Sequence, residues 1–226
     1  MVKYIQFISF ILLLVIVLLG IRCKKEKIVH SEIITKYACN FDIFINKIKT
    51  SPNSIMSSSK LKNEGMFNYK SENLIDQNLN TCWCPQRKSS NGVNEFIIMK
   101  IPFGTKGFKI IIGNAKNRKL YELNNRPKVI SWGIILEKNM KYPKLQNDIC
   151  NFKNKKTKYT NLIYYIEHLK DTFKSQYINI TQKGKFNWKN SMKEYAKNYY
   201  LLIGIERIYK GSKYNDTCIT EVEIIK

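Results

Sequence analysis

Residues 73–85, NLIDQNLNTCWCP, bring a carboxylate, amides, a hydroxyl and an indole together over a very short span. Asp76, Asn80, Thr81 and Trp83 could act as a group on a polar ligand. The same side chains could equally lock a turn, because Asp, Asn and Thr hydrogen-bond to backbone groups two or three residues away. Cys82 and Cys84 flank the indole and are expected to face opposite sides of the chain, each meeting a different partner unless one stays a free buried thiol. A second group stands in KLYELNNRPKV (119–129), where Tyr121, Asn124 and Arg126 could offer an aromatic face and paired donors to a hydroxylated ligand. The competing reading is a loop-to-strand junction in which Pro127 fixes the backbone and Arg126 pairs with a carboxylate such as Glu95 or Glu221.

Catalysis is not expected. The sequence has no G-x-S-x-G, no H-E-x-x-H and no phosphate-cradling P-loop. Its two histidines, His30 and His168, have no evident Cys or Ser partner. Glu221 and Glu223 alternate with apolar residues, the pattern of a solvated strand face. Zinc is not expected either, since no paired C-x-x-C is present. In YKGSKYNDTCITE, Gly211 and Asn215–Asp216 form a tight turn that Thr217 can cap. A structural Ca²⁺ at that turn has thin support, because a hard cation wants six or more oxygens. No cofactor is therefore expected.

The elements that must position these groups are short and β-rich. EFIIMKI (95–101) and GFKIIIG (107–113) are dense β-branched runs. KVISWGIILE (128–137) alternates, with Ile130, Trp132, Ile134 and Leu136 on one face and Ser131 and Gly133 on the other. QYINIT (176–181), YYLLIGIERIY (199–209) and TCITEVEII (217–225) read the same way, the last with Cys218, Val222 and Ile224 sharing a face. Residues 138–161 are expected to be a polar insertion with little structure. Five or six strands separated by turn signals predict an all-β sandwich over 51–226.

Residues 1–22 lie outside that fold. One Lys precedes an apolar run from Tyr4 to Ile21, about as long as the shortest membrane-spanning helices. Cys23 follows at once, which predicts a lipoprotein signal with Cys23 as the lipidated residue, the alternative being an uncleaved signal anchor. Residues 23–50 read as a basic tether. The chain is thus expected to be membrane-tethered on the extracytoplasmic side of a cell envelope. Lys and Arg number 39 against 17 Asp and Glu, a formal charge of +22. Because the lysines are spread along the chain and Lys, Asn and Ile are all heavily used, the charge is read first as compositional drift, and specific nucleic-acid binding is not expected.

Three segments carry a resemblance. SSSKLKN…YKSENLIDQNLNTCWC is similar to the opening of discoidin-like (coagulation factor 5/8 type C) domains. IIIGNAKNRKLYELNNRPKVI (110–130) and IERIYKGSKYNDTCITEVEI (205–224) look like the NADase-type glycan-binding domain, a bacterial branch of the galactose-binding-like sandwiches. The order and spacing hold from about residue 54 to the C-terminus. The resemblance implies a galactose-binding-like, discoidin-type jelly-roll sandwich, preceded here by the N-terminal hydrophobic helix. It also implies a non-catalytic module whose partner is a glycan or other cell-surface component, held by loops at one end. Tyr121, Asn124 and Arg126 are then the candidate sugar-facing trio, while Asp76, Asn80 and Thr81 become a structural turn joining the first strands and Trp83 goes to the core. Departures from the family pattern are Gln77 where it has glycine, Gly92-Val93-Asn94-Glu95, Gly113-Asn114-Ala115 in place of an Asn-Gly-Tyr stretch, and Tyr214-Asn215-Asp216 with one carboxylate fewer. The alternatives are an envelope protein without a sugar site, acting through protein contacts, or a charge-driven polyanion binder.

Overall fold

The computed structural model describes residues 55–86, 91–138, 159–181, 188 and 196–226, all within the compact unit Asp42–Lys226. The expectations for the membrane-directing segment, the tether, Cys23, Cys39 and Cys150 lie outside these residues. Among the described residues, no helix is long and apolar enough to cross a membrane.

Among the described residues, eight strands form: β1 (Ile55–Ser57), β2 (Phe96–Ile101), β3 (Gly107–Ile112), β4 (Arg126–Lys138), β5 (Tyr159–His168), β6 (Gln176–Asn179), β7 (Ala196–Tyr209) and β8 (Ile219–Ile225). They build two sheets, a five-stranded one in the order β1-β2-β7-β4-β5 and a three-stranded one in the order β6-β3-β8. Every strand pairing is antiparallel. The protein is therefore an all-β sandwich of two antiparallel sheets, as the alternating runs predict. Among the described residues, a 3₁₀ turn (Ser71–Leu74) and one short helix, α1 (Arg118–Leu123), sit in the connections.

The core lies between the sheets. Ile130, Trp132, Ile134 and Leu136 of β4 all enter it, as their spacing of two requires, and meet Phe108, Ile110 and Ile112 of β3. The Trp132 and Phe108 rings contact edge to face, with centroids 6.1 Å apart. Burying each such side chain contributes about 1.5–3 kcal/mol, so this one face carries much of the stability.

Two expectations about the elements are corrected. β5 begins at Tyr159, inside the segment read as an unstructured insertion. Its pairing with β4 runs from Val129–His168 to Glu137–Tyr159. On β8, a register irregularity opposite Ile111 and Ile112 shifts the faces: Ile112 pairs with Ile219, whereas Ile111 pairs with Glu221. A bulge adds one residue and breaks the period of two. Ile219 and Val222 thereby both reach the sandwich core, while Cys218 joins a separate cluster with Leu61, Cys82 and Cys84.

Candidate functional site

The loop that follows the 3₁₀ turn is held by its own side chains. Asp76 Oδ1 accepts from the Asn78 N–H at 3.0 Å, and Thr81 Oγ1 donates to Asp76 Oδ2 and Asn78 O, each at 2.8 Å. Asn78 Oδ1 in turn accepts from the Asn80 N–H and Asn80 Nδ2, at 3.0 and 3.1 Å. Beyond the loop, Trp83 is fully buried and exchanges both backbone bonds with Ile219, at 2.9 Å each. Its indole Nε1 donates to Ser59 O at 2.9 Å. The loop thus runs from the 3₁₀ turn to a single bridging residue beside β8, rather than joining two strands. Gln77, standing where the family has glycine, sits at φ 56°.

Cys82 and Cys84 do not face apart. In extended backbone, residues two apart share a face, and both sulfurs lie in the cluster with Cys218. Cys84 is disulfide-bonded to Cys218, whereas Cys82 is a free buried thiol whose Sγ lies 3.6 Å from that of Cys84. Burial, and then the nearby Asp216 carboxylate, push the Cys82 thiol up to about 12, which keeps it protonated and unreactive at neutral pH. The three sulfurs lie within 4.8 Å of one another. The Cys84–Cys218 bond leaves a single thiol among them, so the trio as bonded does not present a set of metal-ligating thiolates.

Tyr121, Asn124 and Arg126 are close in sequence but do not act as one surface. Asn117 starts α1 by accepting from the Leu120 N–H at 2.8 Å, which sets Tyr121 inward. Arg126, at the head of β4, is buried with it. The Arg126 guanidinium grips Asp171 with two prongs, Nε to Oδ1 at 2.8 Å and Nη2 to Oδ2 at 2.7 Å. The partner is thus Asp171, not Glu95 or Glu221; Glu95 instead accepts from the hydroxyls of Ser58 and Ser59. The remaining Arg126 nitrogen, Nη1, donates to the carbonyls of Tyr121 and Asn124. The Tyr121 hydroxyl donates to Asp171 Oδ1 at 2.8 Å, and its ring lies 4.8 Å from the Arg126 guanidinium. Gly113, at φ 79°, passes so close that a Cβ there would sit 2.7 Å from the Tyr121 ring. The hydrogen bond from Arg126 holds the Asp171 carboxyl below the usual carboxylate range. Burial, followed by the bond to Asp171, raises the Tyr121 hydroxyl.

An open concavity lies beside this network, at one end of the sandwich. A cleft of about 300 Å³ is formed by residues from four segments, 61–69, 80–84, 114–124 and 214–218. Asn124 lines it, as do Asn80 and Thr81, whereas Tyr121 and Arg126 stand behind its wall. Glu64 and Phe67 exchange backbone bonds of 3.0 Å around Gly65. That tight turn holds Phe67 half exposed and Met66 almost fully so. The 211–214 loop is laced to the end of α1: the N–H groups of Ser212, Lys213 and Tyr214 donate to Glu122 O and Leu123 O. Gly211 makes this possible, since a Cβ there would meet the Leu123 and Asn124 backbone at 2.4 Å. Tyr214 is thereby set on the cleft, partly exposed. Thr217 does not cap this turn as expected. Its hydroxyl donates instead to Asn91 O.

Buried polar groups tie the segments of the cleft together. Asn73, 2% exposed, donates through Nδ2 to Asn68 O and Cys82 O, each at 2.9 Å, and so ties two of the four segments together. Tyr69 is pushed up to about 12, by burial first and then by Glu64, Cys82 and Asp216, so it stays a neutral hydroxyl. Asp216, at the turn considered for calcium, is buried and faces the cleft beside the cysteines. A different acidic group, Glu221, is pushed up to about 7 by burial, with Asp76 and Glu223 adding like charge. Its Oε2 is buried without a hydrogen-bond partner. Sequence reasoning missed Phe67, Asn73, Tyr214 and Asp171. Only Phe67 left a signal, as half of a Met-Phe pair placed directly after a turn glycine.

A two-sheet antiparallel sandwich with a loop-built cleft at one end places the chain among the factor 5/8 type C, discoidin-type domains. More narrowly, residues 47–225 match the family described as the NAD glycohydrolase translocation F5/8 type C domain, and the chain belongs to that family. No curated protein matches it. Similar solved structures include CpGH89CBM32-5 from Clostridium perfringens, in complex with GalNAc-β-1,3-galactose (10% identity, 76% of this chain and 94% of that chain, TM-score 0.41). The family 32 CBM from C. perfringens NanJ, in complex with galactose, is 12% identical over 75% of this chain and 90% of that chain, with a TM-score of 0.40. A Streptococcus pneumoniae fucose binding module is 13% identical over 77% and 91%, with a TM-score of 0.37.

Proposed function

We propose that this protein is a non-catalytic glycan-binding module, carried on the outer side of a membrane by its N-terminal segment and Cys23. The observation that carries this reading is the cleft at the end of the sandwich. It is concave, walled by the partly exposed rings of Phe67 and Tyr214, and edged by the amides of Asn68, Asn80 and Asn114, with the buried Asn124 behind them. Aromatic faces offer apolar area to the C–H surface of a sugar, and amides match hydroxyls as donors and acceptors, the mix a small polar ligand needs. Tyr121, Arg126 and Asp171 serve this site from behind by fixing the backbone of Asn124. The supporting geometry is the pair of hydrogen bonds from Arg126 to the Tyr121 and Asn124 carbonyls. Membership of a translocation-domain family, rather than that of a hydrolase domain, agrees with a non-catalytic role.

The test is glycan-array screening of the full chain, followed by calorimetry on the hits. Phe67→Ala and Tyr214→Ala are expected to weaken binding about tenfold or more without lowering the melting temperature, since both rings are partly exposed. A wild-type protein that binds no glycan overturns the reading. The protruding Met66, 96% exposed beside Phe67, favours one second reading, a protein-binding tip. Loss of a co-purifying protein partner in Met66→Ser, with no glycan affinity in the wild type, would establish that instead.

A further inference from the structure

Three cysteines from distant parts of the sequence meet at the cleft. Trp83 and Ile219 exchange both backbone bonds, which sets Cys84 across from Cys218, and Cys82 presents its sulfur on the same side as Cys84. The Cys82 and Cys84 sulfurs are 3.6 Å apart, and all three sulfurs lie within 4.8 Å of one another. Each of these residues lines the cleft, and none is more than 4% exposed. Neighbours fix their backbones. Cys82 O accepts from Asn73 Nδ2, Cys84 O from the Leu61 N–H, and Cys218 O from the Gly113 N–H. The fold therefore gathers the three sulfurs, and the single disulfide uses only two of them.

That spacing suits the ligands of one metal ion. A thiolate binds zinc at about 2.3 Å, so two thiolates on one tetrahedral or trigonal ion stand about 3.8–4.0 Å apart. Cys82 and Cys84 are already near that separation, and opening the Cys84–Cys218 bond lets side-chain rotation bring the third sulfur to it. The charge of the cleft points the same way. Among the described residues its lining holds two carboxylates, Glu64 and Asp216, against one lysine, Lys116. Leu61 packs on the sulfurs, and a sulfur donor set selects a soft ion over Ca²⁺ or Mg²⁺, which demand oxygen.

We infer that Cys82, Cys84 and Cys218, once the Cys84–Cys218 bond is reduced, hold one soft, thiophilic metal ion such as Zn²⁺, Cd²⁺ or Cu⁺, with its open side toward the cleft. Two electrons and two protons from a dithiol reductant turn the bond into two thiols. The metal then displaces three thiol protons to solvent and forms three sulfur–metal bonds, so binding strengthens as pH rises. Bond and metal are alternatives. An oxidising compartment favours the bond, and a chain not yet oxidised, or one met by a dithiol, favours the metal. Either one ties the 80–84 segment to the 214–218 segment, so the cleft is held together in both states. The inference stands apart from the glycan reading and does not depend on it.

The experiment uses the full chain in detergent, carrying Cys23→Ser, Cys39→Ser and Cys150→Ser so that the trio are its only cysteines. The protein is reduced with a phosphine without air and titrated with Cd²⁺, while near-ultraviolet circular dichroism follows the native packing of its aromatic residues. The expected result is one Cd²⁺ per chain, seen as the thiolate-to-cadmium charge-transfer band, unmoved by excess Ca²⁺ or Mg²⁺ and absent from the oxidised protein. Adding Cys82→Ser is expected to weaken Cd²⁺ binding about tenfold or more while leaving the Cys84–Cys218 bond free to form in air, which separates a ligand from a packing residue. A reduced protein that keeps its aromatic signal and takes up no Cd²⁺ overturns the inference. Undiminished affinity in the Cys82→Ser variant overturns the three-sulfur site. Loss of the aromatic signal on reduction, not restored by Cd²⁺, overturns it as well, since the fold would then not assemble the site.

Discussion

Arg126 at the start of β4 and Asp171 in the connection after β5 form a two-pronged ion pair that holds the wall of the cleft from behind. The Arg126 side chain is 9% exposed and that of Asp171 39%. Removing the acid therefore strands a mostly buried cation. Asp171→Ala is expected to cost about 2–3 kcal/mol, below the 3–5 of a fully buried pair because water reaches one side; urea denaturation measures it. The Asp171 carboxyl is held low, so the pair stabilises fully above the usual carboxylate value of about 4 and fades as pH falls through the lower folded-state value. A variant as stable as the wild type at neutral pH would show the pair to be inert.

Glu221 behaves in the opposite sense. Its carboxyl is raised from 4.5 to about 7, so the folded protein holds a proton that the unfolded chain has already released. Between those values stability falls as pH rises, and above about 7 the cost is fully present. Glu221→Gln should therefore melt higher than the wild type at pH 8, with the difference closing below pH 4.5, in buffer free of divalent cations. The same melting temperature for both proteins at pH 8 would contradict this.

Gln77 occupies the left-handed region at φ 56°. A side chain there costs roughly 1–2 kcal/mol, and glycine returns about 0.5–1 of that through its freer unfolded chain. Gln77→Gly is thus expected to stabilise by about 0.5 kcal/mol, read as a small rise in melting temperature. A fall would show that the Gln77 side chain makes compensating contacts.

The Cys84–Cys218 bond closes a loop with a sequence separation of 134. The double variant Cys84→Ala/Cys218→Ala should lose about 2–5 kcal/mol. Cys82 should resist iodoacetamide at pH 8 in the folded protein and react after unfolding, as followed by peptide mass mapping at that residue. Rapid alkylation of native Cys82 would contradict its burial and raised thiol.

Local chemistry determined a good part of this protein in the sequence itself. A strand's side chains alternate with a period of two whatever it pairs with, so the inward face of β4 was legible as Ile130, Trp132, Ile134 and Leu136. The turn-forming habits of Asp, Asn and Thr were legible too, and the motif order pointed to the family. β5 was harder to see, because its first residues continue a polar stretch and only pairing with β4 makes them a strand. The bulge on β8 was likewise invisible, since one extra residue changes which face is inward without changing composition. What only the tertiary structure decided was partnership. Arg126 finds its acid 45 residues away, Cys84 finds Cys218, and the cleft draws on four segments that meet only when both sheets close. Side-chain direction is set by the backbone next door, but contact across a sandwich depends on register and packing, which no short stretch of sequence encodes.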